Sequence, residues 1–162
     1  MTRTFVVGDA PDDVREWHRL CKEALDRALA EIRPGADARA IFDGTCEIFE
    51  AADETTPRTK KAGEAQVDGF FHGLGHGVGL EVHEEPGMGR VADKQLVAGD
   101  VVTVEPGLYR AGYGGVRLED IVLVTEAGAE IDQRIPFRKC GLADEIKNMA
   151  RRRGLIRHHF RL

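Results

Sequence analysis

Phe71-His72-Gly73-Leu74-Gly75-His76-Gly77-Val78-Gly79-Leu80-Glu81-Val82-His83-Glu84 places three of the chain's six histidines within twelve residues. The five glycines between Gly69 and Gly79 argue against a helix, because each costs roughly 1 kcal/mol relative to alanine in a helix interior. If residues 70–76 are extended, His72 and His76 point to the same side, since side chains alternate with period two. A bend at Gly77-Val78-Gly79 then brings His83 back toward them. Glycine permits that change of direction and lets backbone approach a ligand closely. A lone histidine is an ordinary surface or core residue; three in a glycine-rich bend beside acidic residues favour a site, without saying which metal or reaction.

Two segments farther along add carboxylates. In Val101-Val102-Thr103-Val104-Glu105-Pro106-Gly107 the alternate residues Val101, Thr103 and Glu105 share one strand face ahead of a Pro-Gly turn. A charge at a strand end can simply reach solvent. In Gly114-Gly115-Val116-Arg117-Leu118-Glu119-Asp120 and the apolar run to Val124, Arg117 and Glu119 project to one side and Leu118 and Asp120 to the other. An arginine beside a glutamate is equally a cross-strand ion pair or a functional pair. One imidazole and two carboxylates on adjacent strands make a ligand set suited to Mn, Fe, Co or Zn.

Around these motifs the chain changes character once. Met1–Gly8 is rich in Thr, Phe and Val and reads as a strand. After Ala10-Pro11-Asp12-Asp13, the residues Val14, Trp17, Cys21, Ala24, Leu25, Ala28, Leu29 and Ile32 recur at helical spacing until Arg33-Pro34-Gly35 stops the run. A second helix is expected over 37–52, with Ala40, Ile41, Thr45, Ile48 and Phe49 on one side, and a polar loop over 53–64. From Val67 onward short β-branched runs alternate with glycine, at Phe70-Phe71, Glu81-Val82, Val101–Val104 and Val116–Val124. Two helices followed by an antiparallel sheet define an α+β fold with the helices on one sheet face. A short helix is also expected over 142–153.

Composition narrows the class. A chain of 162 residues that is 42% hydrophobic and 31% charged can bury the core of one soluble domain. Neither a membrane span nor a signal peptide is visible, so a cytoplasmic location is expected. Cys21, Cys46 and Cys140 form no CxxC and suggest neither a disulfide framework nor a zinc knuckle. There is no serine for a nucleophilic triad and no GxxxxGK loop for phosphate. Residues 1–133 carry 14 Lys+Arg against 26 Asp+Glu, whereas residues 134–162 carry 9 against 2. The basic tail lacks aromatic interleaving or a nucleic-acid-binding motif, so it is read as a solvated or self-docking extension, with neither nucleic acid nor membrane as partner.

HGLGHGVGLEVHE, TVEPGLY and GGVRLED, in that order, resemble the consecutive site motifs of the aminopeptidase P and prolidase branch of the pita-bread metallopeptidases. MTRTFVVG resembles the strand that follows the second metal-binding aspartate in that family. The resemblance covers residues 1–137, expected to be a partial pita-bread (creatinase/aminopeptidase-like) catalytic domain, and leaves 138–162 as a basic C-terminal extension. It implies a two-metal centre of Mn, Co, Zn or Fe with His76, Glu105 and Glu119 as ligands, Glu119 bridging. It further implies that Glu105 shuttles protons, that His72 and His83 contact substrate or stabilise charge on the attacked carbonyl, and that Arg117 orients a carboxylate. The implied substrates are short peptides with proline at the second position, and the implied assembly is a homodimer.

The same resemblance implies two further aspartate ligands on a hairpin before the TRTF strand, the second immediately ahead of Met1. Asp9, Asp12 and Asp13 follow that strand and do not replace them. The expectation is therefore a pita-bread fold truncated at its N-terminal hairpin, with one or no metal held and weak or no activity. A fragment of a longer enzyme, a truncated homologue and a chain completed by a partner all remain open. Two functions follow: a metal-dependent Xaa-Pro aminopeptidase or dipeptidase, or an inactive homologue that serves as a peptide-binding or scaffold domain.

Overall fold

The computed structural model describes residues 1–61, 63 and 65–131. The expected helix over 142–153 and the extension over 138–162 lie outside the described residues. Helix α1, Asp12–Glu31, starts at Pro11 and carries Asp12 and Asp13 in its first turn, where negative charge complements the helix dipole. It ends where Pro34 disfavours helical backbone in the residue before it. Its inward stripe is Trp17, Leu20, Cys21, Ala24, Leu25 and Ala28. Helix α2, Ala38–Glu50, is capped by Asp37, whose carboxylate accepts from the backbone N–H of Arg39 at 2.8 Å and Ala40 at 3.2 Å.

Of the five residues expected on the buried face of α2, Ile41, Thr45 and Phe49 are buried, and the face differs at the other two. Phe42 and Cys46 are buried, Ala40 is exposed and Ile48 only half-buried. The reason is aromatic: Phe42 and Phe49, seven residues apart, both meet Phe70, with ring centroids 5.9 and 5.3 Å away. Burying two phenyl rings outweighs burying Ala40.

The strands are β1 (Gly75–Gly77), β2 (Glu84–Met88), β3 (Val101–Val104), β4 (Gly107–Arg110), β5 (Gly114–Arg117), β6 (Asp120–Thr125) and β7 (Gly128–Ile131). Five form an antiparallel sheet in the order β2-β1-β3-β6-β7, and β4 pairs with β5 as a separate hairpin. Alternate residues Val116, Leu118, Asp120, Val122 and Val124 are buried, while Arg117 and Leu123 are exposed and Glu119 and Ile121 half-buried. Helix α1 packs across β3, β4, β5 and β7, and α2 against β2. Helices on one face of an antiparallel sheet match the α+β expectation. No helix among the described residues is long and apolar enough to cross a membrane.

Four expected strands differ. Met1–Gly8 contributes only an isolated bridge, Thr2 with Glu119. Two positions along, Thr4 ties Arg117 through its hydroxyl, with both contacts to the Arg117 backbone at 3.0 Å, so a side chain replaces the next rung of the ladder. Phe70-Phe71 is not a strand; its neighbour Gly69 bridges to Tyr109. Glu81-Val82 lies in the bend between β1 and β2, closed by the Glu84 carboxylate accepting from Glu81 N–H at 3.0 Å. The run Val116–Val124 breaks at Leu118-Glu119, where Leu118 N–H turns to the Pro106 carbonyl at 3.2 Å and the chain passes from the hairpin into the main sheet.

β1 and β3 lie close together at Gly75, where a Cβ would lie 1.8 Å from the Thr103 carbonyl oxygen. Gly75→Ala is expected to cost roughly 1–3 kcal/mol or more through that overlap. Gly87→Ala, with nothing within 4 Å of its Cβ, should stay within about 0.5 kcal/mol of the unaltered protein. Urea denaturation of the two variants checks both expectations.

Candidate metal centre

His76 sits in the middle of β1 with its backbone N–H on Thr103 Oγ1 at 3.0 Å. Its Nδ1 lies 2.9 Å from the Gly77 carbonyl oxygen. A carbonyl only accepts, so Nδ1 carries the proton and Nε2 is the nitrogen left to bind. Nε2 faces Glu105 Oε1 at 3.4 Å. Glu105 follows β3, its backbone N–H on the Leu74 carbonyl at 2.7 Å and its Oε1 accepting from Thr103 Oγ1 at 3.2 Å. Thr103 thus fixes both partners. An imidazole lone pair opposite a carboxylate oxygen is stable only with a proton or a cation between them.

Arg117, at the end of β5, brings Nη1 to 3.8 Å from Glu105 Oε2 and donates from Nη2 to Thr2 Oγ1 at 3.2 Å. Thr2 Oγ1 in turn donates to Glu119 Oε2, and the Met1 amino nitrogen lies 3.5 Å from Glu119 Oε1. Glu119 is therefore joined to Glu105 through Thr2 and Arg117. Among the described residues no three His, Cys, Asp or Glu side chains are grouped as a metal-ligand set. The donor chemistry fits a divalent cation at His76 and Glu105, with Glu119 at one remove.

The other two histidines stand on either side. His83, exposed, packs against His76 with ring centroids 4.1 Å apart and planes tilted by 46°, so the glycine bend does return it beside His76. His72 has both nitrogens engaged within the chain, Nδ1 on the Gly73 carbonyl at 2.7 Å and Nε2 against the Tyr109 hydroxyl at 2.9 Å. Burial holds its pKa below the ordinary imidazole value, outweighing the Gly73 carbonyl and the Glu105 charge, which raise it. Burial likewise pushes the Tyr109 hydroxyl up. Tyr109 keeps its proton and donates it to the neutral His72.

Sequence reasoning singled out no role for Tyr109, Thr103 or Thr2. Tyr109 had a signal. It stands opposite Gly115 across the hairpin. A Cβ at Gly107 would lie 2.5 Å from its hydroxyl, and one at Gly115 would lie 2.4 Å from its ring. Those glycines make the space for the ring. The threonines had none, because their hydroxyls matter only once the strands are paired.

A helix-backed antiparallel sheet carrying this His-Glu-Arg-Glu series defines the class: residues 1–126 match the profile of metallopeptidase family M24, and the chain belongs to that family. Its fold is the pita-bread fold of the prolidases and aminopeptidase P. The Xaa-Pro dipeptidase of Pyrococcus furiosus is 41% identical over 130 residues, which are 80% of this chain and 34% of that protein. The solved prolidase from Pyrococcus furiosus superposes with a TM-score of 0.70 at 36% identity, covering 83% of this chain and 36% of that one. The X-Pro aminopeptidase from Thermotoga maritima gives a TM-score of 0.70 at 34% identity, covering 83% and 35%. The chain spans about a third of the length of the curated relatives it matches.

The His72 environment predicts a pH dependence. The native ring has a depressed pKa while the unfolded ring titrates near 6.5, so below that pH the unfolded state binds a proton that the native state refuses. Stability should fall as pH drops through about 6.5. His72→Asn should flatten that fall, leaving the contribution of His18, whose pKa burial also lowers. Melting temperatures between pH 8 and pH 5 provide the check.

Proposed function

We propose that this chain carries the His76, Glu105 and Glu119 part of a metal-dependent exopeptidase site, of the Xaa-Pro dipeptidase or aminopeptidase type. The observation that carries the reading is the opposition of His76 Nε2 and Glu105 Oε1 at 3.4 Å, with the His76 tautomer set by Gly77. The likeness to an Xaa-Pro dipeptidase and an X-Pro aminopeptidase supports the substrate class: short peptides with proline at the second position. A divalent ion of the Mn, Co, Zn or Fe kind would be held at His76 and Glu105, with Glu119 at one remove, and would supply an activated water and polarise the scissile carbonyl.

The chain's own residues do the rest. The Gly77 carbonyl and the Thr103 hydroxyl hold His76 and Glu105 in register. Glu105 takes a proton from the attacking water and passes it to the departing proline nitrogen. Arg117 orients the Glu105 carboxylate from the Oε2 side. His83, exposed on the His76 ring, is placed to meet the substrate carbonyl. His72 acts from behind, as a neutral ring pinned by Tyr109, and reaches substrate only by giving up one of its two internal bonds.

One observation favours a second reading, a peptide-binding homologue without turnover: only two donors converge directly among the described residues. The two are separated by assaying Xaa-Pro and Xaa-Pro-Yaa peptides with the chain in Mn2+ or Co2+. The enzyme reading expects metal-dependent release of the N-terminal residue, reduced about 10²–10⁴-fold in Glu105→Gln. Peptide binding without cleavage supports the second reading. Cleavage that survives chelation, or that Glu105→Gln leaves intact, sinks the first.

A further inference from the structure

Arg3 and Asp120 form an ion pair out of solvent, with Nη2 2.5 Å from Oδ1 and the side chains 6% and 1% exposed. Buried pairs of this kind contribute little to stability, because desolvation offsets the attraction. Asp120 Oδ2 is buried as well and meets no hydrogen-bond partner among the described residues, which adds to the cost. The consequence of the pair is geometric. The other branch of the guanidinium, Nη1, donates to the Glu119 carbonyl at 2.7 Å and to the Thr2 carbonyl at 2.9 Å. These are the two residues of the isolated bridge, which already exchange Thr2 N–H to Glu119 O at 3.1 Å and Glu119 N–H to Thr2 O at 2.9 Å.

Asp120 points into the core and Glu119 to the opposite face, as successive strand residues do. Arg3 therefore grips the inner face while its hold on the Glu119 carbonyl governs the outer one. Thr2 transmits that hold, since its hydroxyl stands between Arg117 Nη2 and Glu119 Oε2. A shift of Thr2 separates the two.

We propose that Arg3 is a positioning residue: through the backbone of Thr2 and Glu119 it sets where the Glu119 carboxylate stands beside Arg117. This rests on the reading of Glu119 as part of the metal site.

The test compares the full chain with Arg3→Met/Asp120→Leu, which replaces the ion pair by apolar bulk, and with Arg3→Lys, which keeps the charge but not the fork that spans three acceptors among the described residues. Amide hydrogen exchange reads the position of Glu119 without metal, and calorimetric titration with Mn2+ reads the site. In the double variant the Val122 and Val124 amides, deep in β6, should stay as protected as in the unaltered chain. Glu119 N–H should exchange about tenfold faster and Mn2+ bind about 10–100-fold more weakly, the scale on which outer partners of metal ligands act. Arg3→Lys should move both readouts in the same direction. Unchanged Glu119 exchange and unchanged Mn2+ affinity in the double variant overturn the proposal, as does unchanged exchange in Arg3→Lys should the double variant not fold. If the unaltered chain binds no Mn2+, the metal-site reading fails, and Glu119 exchange still decides whether Arg3 positions it.

Discussion

The contact between Gly75 and Thr103 governs the rest of the site. β1 and β3 come together where a Cβ would overlap the Thr103 carbonyl at 1.8 Å, so the strands close only because position 75 has no side chain. That closure puts His76 N–H on the Thr103 hydroxyl and the same hydroxyl on Glu105. Register does the remainder, since Val104 pairs with Asp120 and delivers Glu119 to the strand end beside Glu105. A one-residue slip would turn these side chains to the opposite face of the sheet.

From Thr103 outward the site is a series of links, not a single cluster. His76 meets Glu105, Glu105 meets Arg117, and Arg117 reaches Glu119 through Thr2. The apolar side of the same strands anchors it, with Val102, Val104, Leu118 and Val122 buried under the helices. His72 is held at the back by aromatic packing, its ring 4.9 Å from Phe70 and 5.5 Å from Tyr109. Phe70 also receives Phe42 and Phe49 from α2, so the second helix supports the site through one ring.

The sequence shows which polar side chains the strands bring together better than it shows the frame around them. Histidines in a glycine bend and carboxylates at strand ends were legible because period-two alternation and glycine's freedom are local properties. The α1 stripe was legible for the same reason at period 3.6. What escaped depends on contacts distant in sequence. Ile41, Thr45 and Phe49 of α2 were legible, but the burial of Phe42 against Phe70, more than twenty positions away, is announced by no local pattern. Met1–Gly8 has strand composition, yet pairs at Thr2 alone because Thr4 uses its hydroxyl for the next rung. Leu118 looks like mid-strand and is the crossing point between two sheets. Tyr109 stood in plain view in the Glu-Pro-Gly-Leu-Tyr motif, but its partner was visible only once β4 had folded back beside residues 69–72.

Under the proposed function, His76 Nε2 and Glu105 Oε1, 3.4 Å apart, face each other across the position of a cation. Anomalous diffraction from crystals soaked in Mn2+ tests this directly. A manganese peak in contact with both atoms is expected, with the His76 Nδ1 bond to Gly77 intact. No peak there, with Nε2 protonated and hydrogen-bonded to the Glu105 carboxylate, would contradict it.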